Sequence, residues 1–301
     1  MEILVGAGFL LVTLVLLNTT VQDRLKRCFF QYPTAIFGVP WLLTISACLI
    51  AAHYSTSVPD FINAFCLVSI YIFLPVFLLY ESGSWYLPKQ KEAHWIEFLV
   101  MLCLWLPIEY AMWNGWLSAH FHHLAHIIAS GTAVILALCL FLLFRGMTGM
   151  KYNLPRGHRD FILPFYGLLA AAAILIPFGL MLGFIGPFRI PADLSFIKTA
   201  KIFGGIIIGI ALPEEILFRG LIQNWLMQKF GASNMTIFAA ALIFGLAHLN
   251  NGPQALPNWR YMFVATVAGF IYGKVFQKSS SIFSSAGLHA SVNTIRHLFF
   301  V

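Results

Sequence analysis

The chain has 301 residues, of which 60% are hydrophobic and only 10% charged, with a mean hydropathy of +0.84 and a formal charge of +7. A soluble domain carries about 25% charged residues, so this composition excludes a water-soluble globule and makes lipid the solvent. The basic residues punctuate apolar runs instead of gathering on one face, which excludes a nucleic-acid surface. The five cysteines, Cys28, Cys48, Cys66, Cys103 and Cys139, form no CxxC pair and read as small core side chains, not as a disulfide framework or zinc ribbon.

The first apolar run, 3–17, follows Glu2 and lacks a basic flank, and Asn18-Thr19-Thr20 is a poor cleavage site, so it reads as a retained first span and not a signal peptide. Further runs cover 35–52, 61–80, 95–113, 127–144, 161–185, 197–227, 234–248, 261–276 and 282–301. Each is near the roughly 20 residues a span needs, and backbone satisfaction in lipid makes them helices. The expectation is an all-α, polytopic transmembrane helical bundle of eight to ten membrane helices. Arg24, Lys26 and Arg27 fall in the first loop, Lys89 and Lys91 in the third, and Arg145, Lys151, Arg156 and Arg159 in the fifth. The second and fourth loops hold neither Lys nor Arg, which puts the odd loops in the cytoplasm. Arg189, Lys198 and Arg260 break this alternation in the second half. The basic stretch 145–160 divides the chain into N-terminal helices (1–160) and a C-terminal group (161–301).

Ionisable groups inside hydrocarbon cost about 2.5–3.5 kcal/mol each on insertion scales, so they invite a functional account. Glu214 and Glu215 are adjacent in the run Pro213-Glu214-Glu215-Ile216-Leu217-Phe218-Arg219. Pro213 suits a helix start or kink, where the helix dipole favours negative charge. Glu215 and Arg219 are four apart and can pair; Glu214 points about 100° away and is left for another role. An interfacial helix start stabilised by a salt bridge is the plainer alternative. Next come Phe244 and His248 at the end of an apolar segment, where an interfacial histidine bonded to water is the plain reading. Last come His289 and Asn293, four apart on one helical face, with Thr266 or Tyr272 as possible neighbours. Interhelical hydrogen bonding would account for that pair as well. Taken together, a glutamate and a histidine in a dry cavity can activate water, while a second histidine and an amide can stabilise an oxyanion.

The order EExxxR, FxxxH, HxxxN on successive helices resembles the CAAX-protease and bacteriocin-processing family of glutamate-dependent intramembrane proteases. The resemblance covers about 197–293. It implies Glu214 as general base, His248 assisting at the water, His289 and Asn293 as the oxyanion site, and Glu215 and Arg219 holding the helix geometry. It further implies no metal and no cofactor, and a membrane-anchored peptide or protein substrate: a prenylated C-terminus, a leader or a sorting-signal peptide. No eukaryotic retention signal is present, which points to a bacterial inner membrane.

Three other readings stand beside it. Glu214, Glu215, His248 and His289 could ligate zinc, although HExxH is absent; His120, His122, His123 and His126 form a second histidine group for which solvation is the plain account. Glu109 and the Pro-interrupted helices suit a transporter, against which no internal repeat is evident. A non-catalytic member of the family, serving as scaffold or immunity factor, is the third.

Overall fold

The computed structural model describes residues 2–54, 58–83, 93–110, 122–252 and 255–300, and among these every regular element is helical. The chain separates into two compact units, Met1–Thr148 and Gly149–Val301, with the division inside the basic stretch singled out above.

In the first unit, α1 (Glu2–Val15) and α2 (Thr19–Gln31) meet at 85°. Asn18 makes the corner: its side-chain oxygen accepts from the Thr20 and Val21 amides, and Gln22 Nε2 donates to the Leu16 carbonyl at 2.7 Å. Polar groups freed by the bend are thus bonded locally, at an exposed cap by Asn18 and in a buried setting by Gln22. Arg24, Lys26 and Arg27 therefore ride on a helix, where a loop was expected. Then follow α3 (Gly38–Tyr54), α4 (Val58–Glu81), α5 (Trp95–Glu109) and α6 (His122–Ala137), the last continuing as a π-helical stretch Leu138–Phe144. α6 packs against α1, α3 and α5. Glu97, fully buried in α5, pairs with Arg145 Nε just beyond α6 and also accepts the His94 amide.

The second unit opens with α7 (Arg159–Met181), which packs on the two last helices. A single helical run, α8 (Phe196–Phe230), follows. Then come α9 (Asn234–Leu246), α10 (Trp259–Lys278) and α11 (Ile282–Phe299). The turn between α10 and α11 is held from the preceding loop. Lys151, with a left-handed backbone (φ 54°), directs Nζ to the carbonyls of Phe276, Gln277 and Ser279 at 2.6, 3.1 and 2.7 Å, closing the C-terminal end of α10. Burial lowers the pKa of this ammonium, and Asp160 pulls the other way. Asp160 accepts from the Ser280 amide and hydroxyl at 2.7 and 2.5 Å, which fixes where α11 begins.

Among the described residues, four helical segments can cross a membrane by length and apolarity: Pro33–Ile50, Leu124–Phe144, Arg159–Met181 and Phe196–Phe230, or five if the bent α1–α2 pair is one span. The protein is an integral membrane protein, and the described residues do not confirm the expected count of eight to ten spans. α9 has only 13 residues, and α10 and α11 carry Arg260, Lys274, Lys278 and Arg296 within their length. The physical reason is that apolar runs in sequence do not record where a helix stops or bends.

Candidate active site

The site is built on α8. This run is α-helical over Phe196–Ile206, π-helical over Ile207–Ala211, α-helical over Leu212–Glu215, π-helical again over Ile216–Gln223, and α-helical over Asn224–Phe230. Pro213 cannot donate to the ladder, and the hydrogen bonds around it slip by one residue: Leu212 N–H reaches the Ile207 carbonyl, and further on Asn224 N–H reaches that of Arg219. The two glutamates thus occupy one short α-turn between two widened ones, and π-turns of this kind concentrate at functional sites.

Glu215 is fully buried, whereas the Glu214 side chain is 31% exposed, so the two point to different surroundings as their 100° offset requires. Arg219 Nε stands 3.5 Å from Glu215 Oε2, the i, i+4 pair expected. The contact is electrostatic, longer than a good hydrogen bond, and both atoms lack a hydrogen-bond partner among the described residues. Both carboxylates nevertheless meet the same imidazole. His289 Nδ1 is 3.2 Å from Glu215 Oε1, and its Nε2 is 3.9 Å from Glu214 Oε2. Glu215 is therefore shared between Arg219 and His289, an arrangement that spacing along α8 alone does not reveal.

His248 sits just past α9 with Nδ1 2.8 Å from the Phe244 carbonyl. A carbonyl only accepts, so Nδ1 carries the hydrogen, and the Nε2 of the neutral ring keeps its lone pair. Glu214 lies within electrostatic reach of it. The Phe244 ring is the hub of the site: it packs edge-on against Phe218 (5.0 Å), meets the rings of His248 (4.6 Å) and His289 (5.8 Å), and carries the Arg219 guanidinium at 4.4 Å. Of the two neighbours considered for His289, Tyr272 is the one present, stacked at 4.8 Å and 23°. Thr266 instead bonds the Met262 carbonyl of its own helix.

Two glycines of α10 make room for its neighbours, Gly273 for α8 and Gly269 for the Phe244 ring of α9. Arg219 Nη2 reaches the Gly269 carbonyl at 3.4 Å, and Gln223 Nε2 reaches the Gly273 carbonyl at 3.0 Å, one turn further along both helices. A Cβ on Gly269 would stand 2.9 Å from the Phe244 ring, and one on Gly273 would stand 2.5 Å from Gln223 Oε1. Neither space exists for a larger residue.

His248, His289, Asn293, Tyr272, Tyr261 and Arg296 line a cavity of about 80 Å³, otherwise walled by apolar side chains of α7, α10 and α11. That is well above the roughly 10–15 Å³ needed to admit a water. Glu214 and Glu215 are not among its lining residues; His289 stands on the cavity wall and contacts both. Asn293 faces the cavity with no side-chain hydrogen bond among the described residues. Among those residues no group of three His, Cys, Asp or Glu side chains converges closely enough to hold a metal ion. His120 and the side chains of His122 and His123 lie outside the described residues; His126 is exposed, 3.5 Å from Ser130. Glu109 accepts a hydrogen bond from Trp105 within its own helix at 3.1 Å.

Comparison with known proteins decides the relationship of the region that carries this geometry. Residues 197–295 match the type II CAAX prenyl endopeptidase Rce1-like family. This is a protease family, consistent with the wider CAAX-protease and bacteriocin-processing group. No curated protein and no solved structure matches the chain. The Rce1-like segment begins within α8 and ends within α11, so it contains the glutamate pair and both histidines, while Lys151, Asp160 and all of α7 lie before it. Sequence reasoning missed Tyr261, Arg296, Gly269 and Gly273. The available signals were the four-residue spacing of the glycines and the seven-residue step from His289 to Arg296 along one helical face.

Proposed function

We propose that this protein is a glutamate-dependent intramembrane endopeptidase acting on a membrane-anchored peptide or protein. The observation that carries this reading is the meeting of Glu214 and Glu215 on opposite nitrogens of His289, beside a cavity that also receives His248 and Asn293. Glu214 takes a proton from the attacking water, and the free lone pair of His248 Nε2 orients that water. The new C–O bond leaves an oxyanion on the former carbonyl, to which the Asn293 amide donates. With Nδ1 held by Glu215, His289 presents its Nε2 edge to the same site. Collapse breaks the C–N bond, Glu214 returns its proton to the departing amine, and the products are a carboxylate and an amine. Glu215 and Arg219 position the histidine and the α-turn and do not touch substrate.

A prenylated C-terminus, a leader or a sorting-signal peptide all suit such a site, and the membrane in this reading is a bacterial inner membrane. The test is to compare peptide termini in cells carrying wild-type protein or Glu214→Gln. One membrane-anchored protein left uncut by the variant is the expected result. Normal cleavage by folded Glu214→Gln would overturn the mechanism.

A further inference from the structure

The start of α10 sets a tyrosine beside His248. Asn258, buried just ahead of α10, caps the helix: its Oδ1 accepts from the Tyr261 amide at 3.0 Å. Its own backbone N–H and its Nδ2 donate to the carbonyls of Leu249 and Asn251 at 2.7 and 2.8 Å. The segment just past His248 and the first turn of α10 are thereby tied together. The Tyr261 ring stands edge-on to the His248 imidazole at 4.5 Å, on the cavity wall that also carries Asn293. Arg296 of α11 hydrogen-bonds the Tyr261 hydroxyl, and its guanidinium is held 4.5 Å over the Phe184 ring. A guanidinium only donates, so the phenol oxygen accepts and keeps its own hydrogen to give. Among the described residues no acceptor takes that hydrogen. The arginine's charge polarises the phenol and makes its O–H the stronger donor. Glu214 is within electrostatic reach of both His248 and Tyr261, so the spare donor faces the same reaction space as the proposed base.

We infer that Tyr261 is a further catalytic residue, whose phenol donates to the oxyanion beside the Asn293 amide, and that Arg296 is the positioning residue behind it. This rests on the protease reading. Attack by water puts a negative charge on the former carbonyl oxygen, and a single amide donor leaves that oxygen with unused lone pairs. A phenol already held and polarised supplies a second donor with no reorganisation as the charge appears. No proton leaves Tyr261 and no bond breaks there. Its hydrogen bond strengthens as the carbonyl becomes an alkoxide and weakens again when the C–N bond breaks. The contribution is therefore made to the transition state more than to the bound peptide.

The test is binding to the purified full-length protein, read by thermal-melt titration. The probes are N-acetyl-Leu-Leu-Leu amide and the same peptide with its last Leu-Leu bond replaced by a phosphinate, whose P–O⁻ stands where the oxyanion forms. Wild type should bind the phosphinate about 10² more tightly than the peptide, about tenfold for each donor to a charged oxygen. Tyr261→Phe keeps the ring against His248 and removes only the hydroxyl. It should lower the preference about tenfold, with the affinity for the plain peptide little changed. Arg296→Gln should lower the preference too, but adding it to Tyr261→Phe should cost nothing more, because Arg296 acts through the phenol. Each comparison is a ratio within one variant, so a modest loss of stability does not disguise it. Glu214→Gln should keep the full preference, so failure of the catalytic scheme and failure of this donor are separately visible. Equal binding of the two probes by wild type, or a preference unmoved in Tyr261→Phe, overturns the proposal. A further loss on adding Arg296→Gln to Tyr261→Phe also overturns it, since Arg296 would then meet the anion itself.

Discussion

Each unit buries acidic side chains among apolar helices, and they do so differently. In the first, Glu97 meets Arg145 and also accepts the His94 amide, one acid matched to one base. In the second, Glu214 and Glu215 share His289 and Glu215 alone also meets Arg219, while Glu214 Oε2, Glu215 Oε2 and Arg219 Nε lack hydrogen-bond partners among the described residues. A saturated pair has nothing left to offer a reactant. A cluster with spare acceptors beside a cavity does, and the difference marks structural charge apart from charge available for chemistry.

The largest expected effect separates the two units by activity. Glu214→Gln should lower turnover by 10² or more, the range for loss of a general base, with thermal stability unchanged or raised because its carboxylate is under-bonded. Glu97→Gln should leave the rate of the folded fraction near wild type. Equal losses of rate in both variants would erase the distinction.

Stability should divide the other way. Removing one partner of a buried pair costs about 3–5 kcal/mol, so Glu97→Gln and Arg145→Gln should each lower the melting temperature sharply, and the double variant should recover part of the loss. Glu215→Gln and Arg219→Gln should behave alike in stability, but they should also lower turnover, because His289 loses a partner or its neighbour shifts. A double variant of Glu215 and Arg219 that recovers stability without recovering rate would fit this account; recovery of both would remove Glu215 from positioning His289.

Much of this was legible before the structure, for stated reasons. Apolar runs disclose helices because lipid permits little else, and acids, histidines and an asparagine stand out in a chain only 10% charged. The i, i+4 spacing of Glu215 and Arg219 was enough to pair them. The corner at Asn18 was not legible, since its cause is a cap and a back-bonded Gln22, and neither alters hydropathy. Nor were the π-turns on either side of Glu214 and Glu215, where a shift in hydrogen-bond register leaves the residue pattern intact. Tyr261, Gly269 and Gly273 were hidden by abundance: with 29 phenylalanines, 10 tyrosines and 23 glycines, one ring or one glycine carries no signal until its neighbours are known.

A smaller effect tests those glycines. Gly273→Ala places a methyl 2.5 Å from Gln223 Oε1 and 2.8 Å from Ile237 Cγ2. Overpacking of this kind costs about 1–3 kcal/mol. A melt unchanged from wild type would mean that α8 and α10 separate more readily than their contacts imply. Gly269→Ala presses instead on the Phe244 ring, the hub on which Arg219, His248 and His289 rest, so it should lower rate as well as stability. Gly273→Ala should lower stability with the smaller change in rate.

The smallest expected effect is none at all. Exhaustive chelation should leave cleavage unchanged, and elemental analysis should find no stoichiometric zinc. The argument comes from how the donors are already used. Glu215 already faces both His289 Nδ1 and Arg219, whose positive charge opposes a divalent cation at the same oxygens. A catalytic zinc needs about three such ligands turned to one point, and no group of three is so arranged among the described residues. Activity lost on chelation and restored by added zinc would move Glu214 and the histidines from acid–base work to ligation. In that case Glu214→Gln should also lower bound zinc, whereas a general base lost from a metal-free site should change the rate alone.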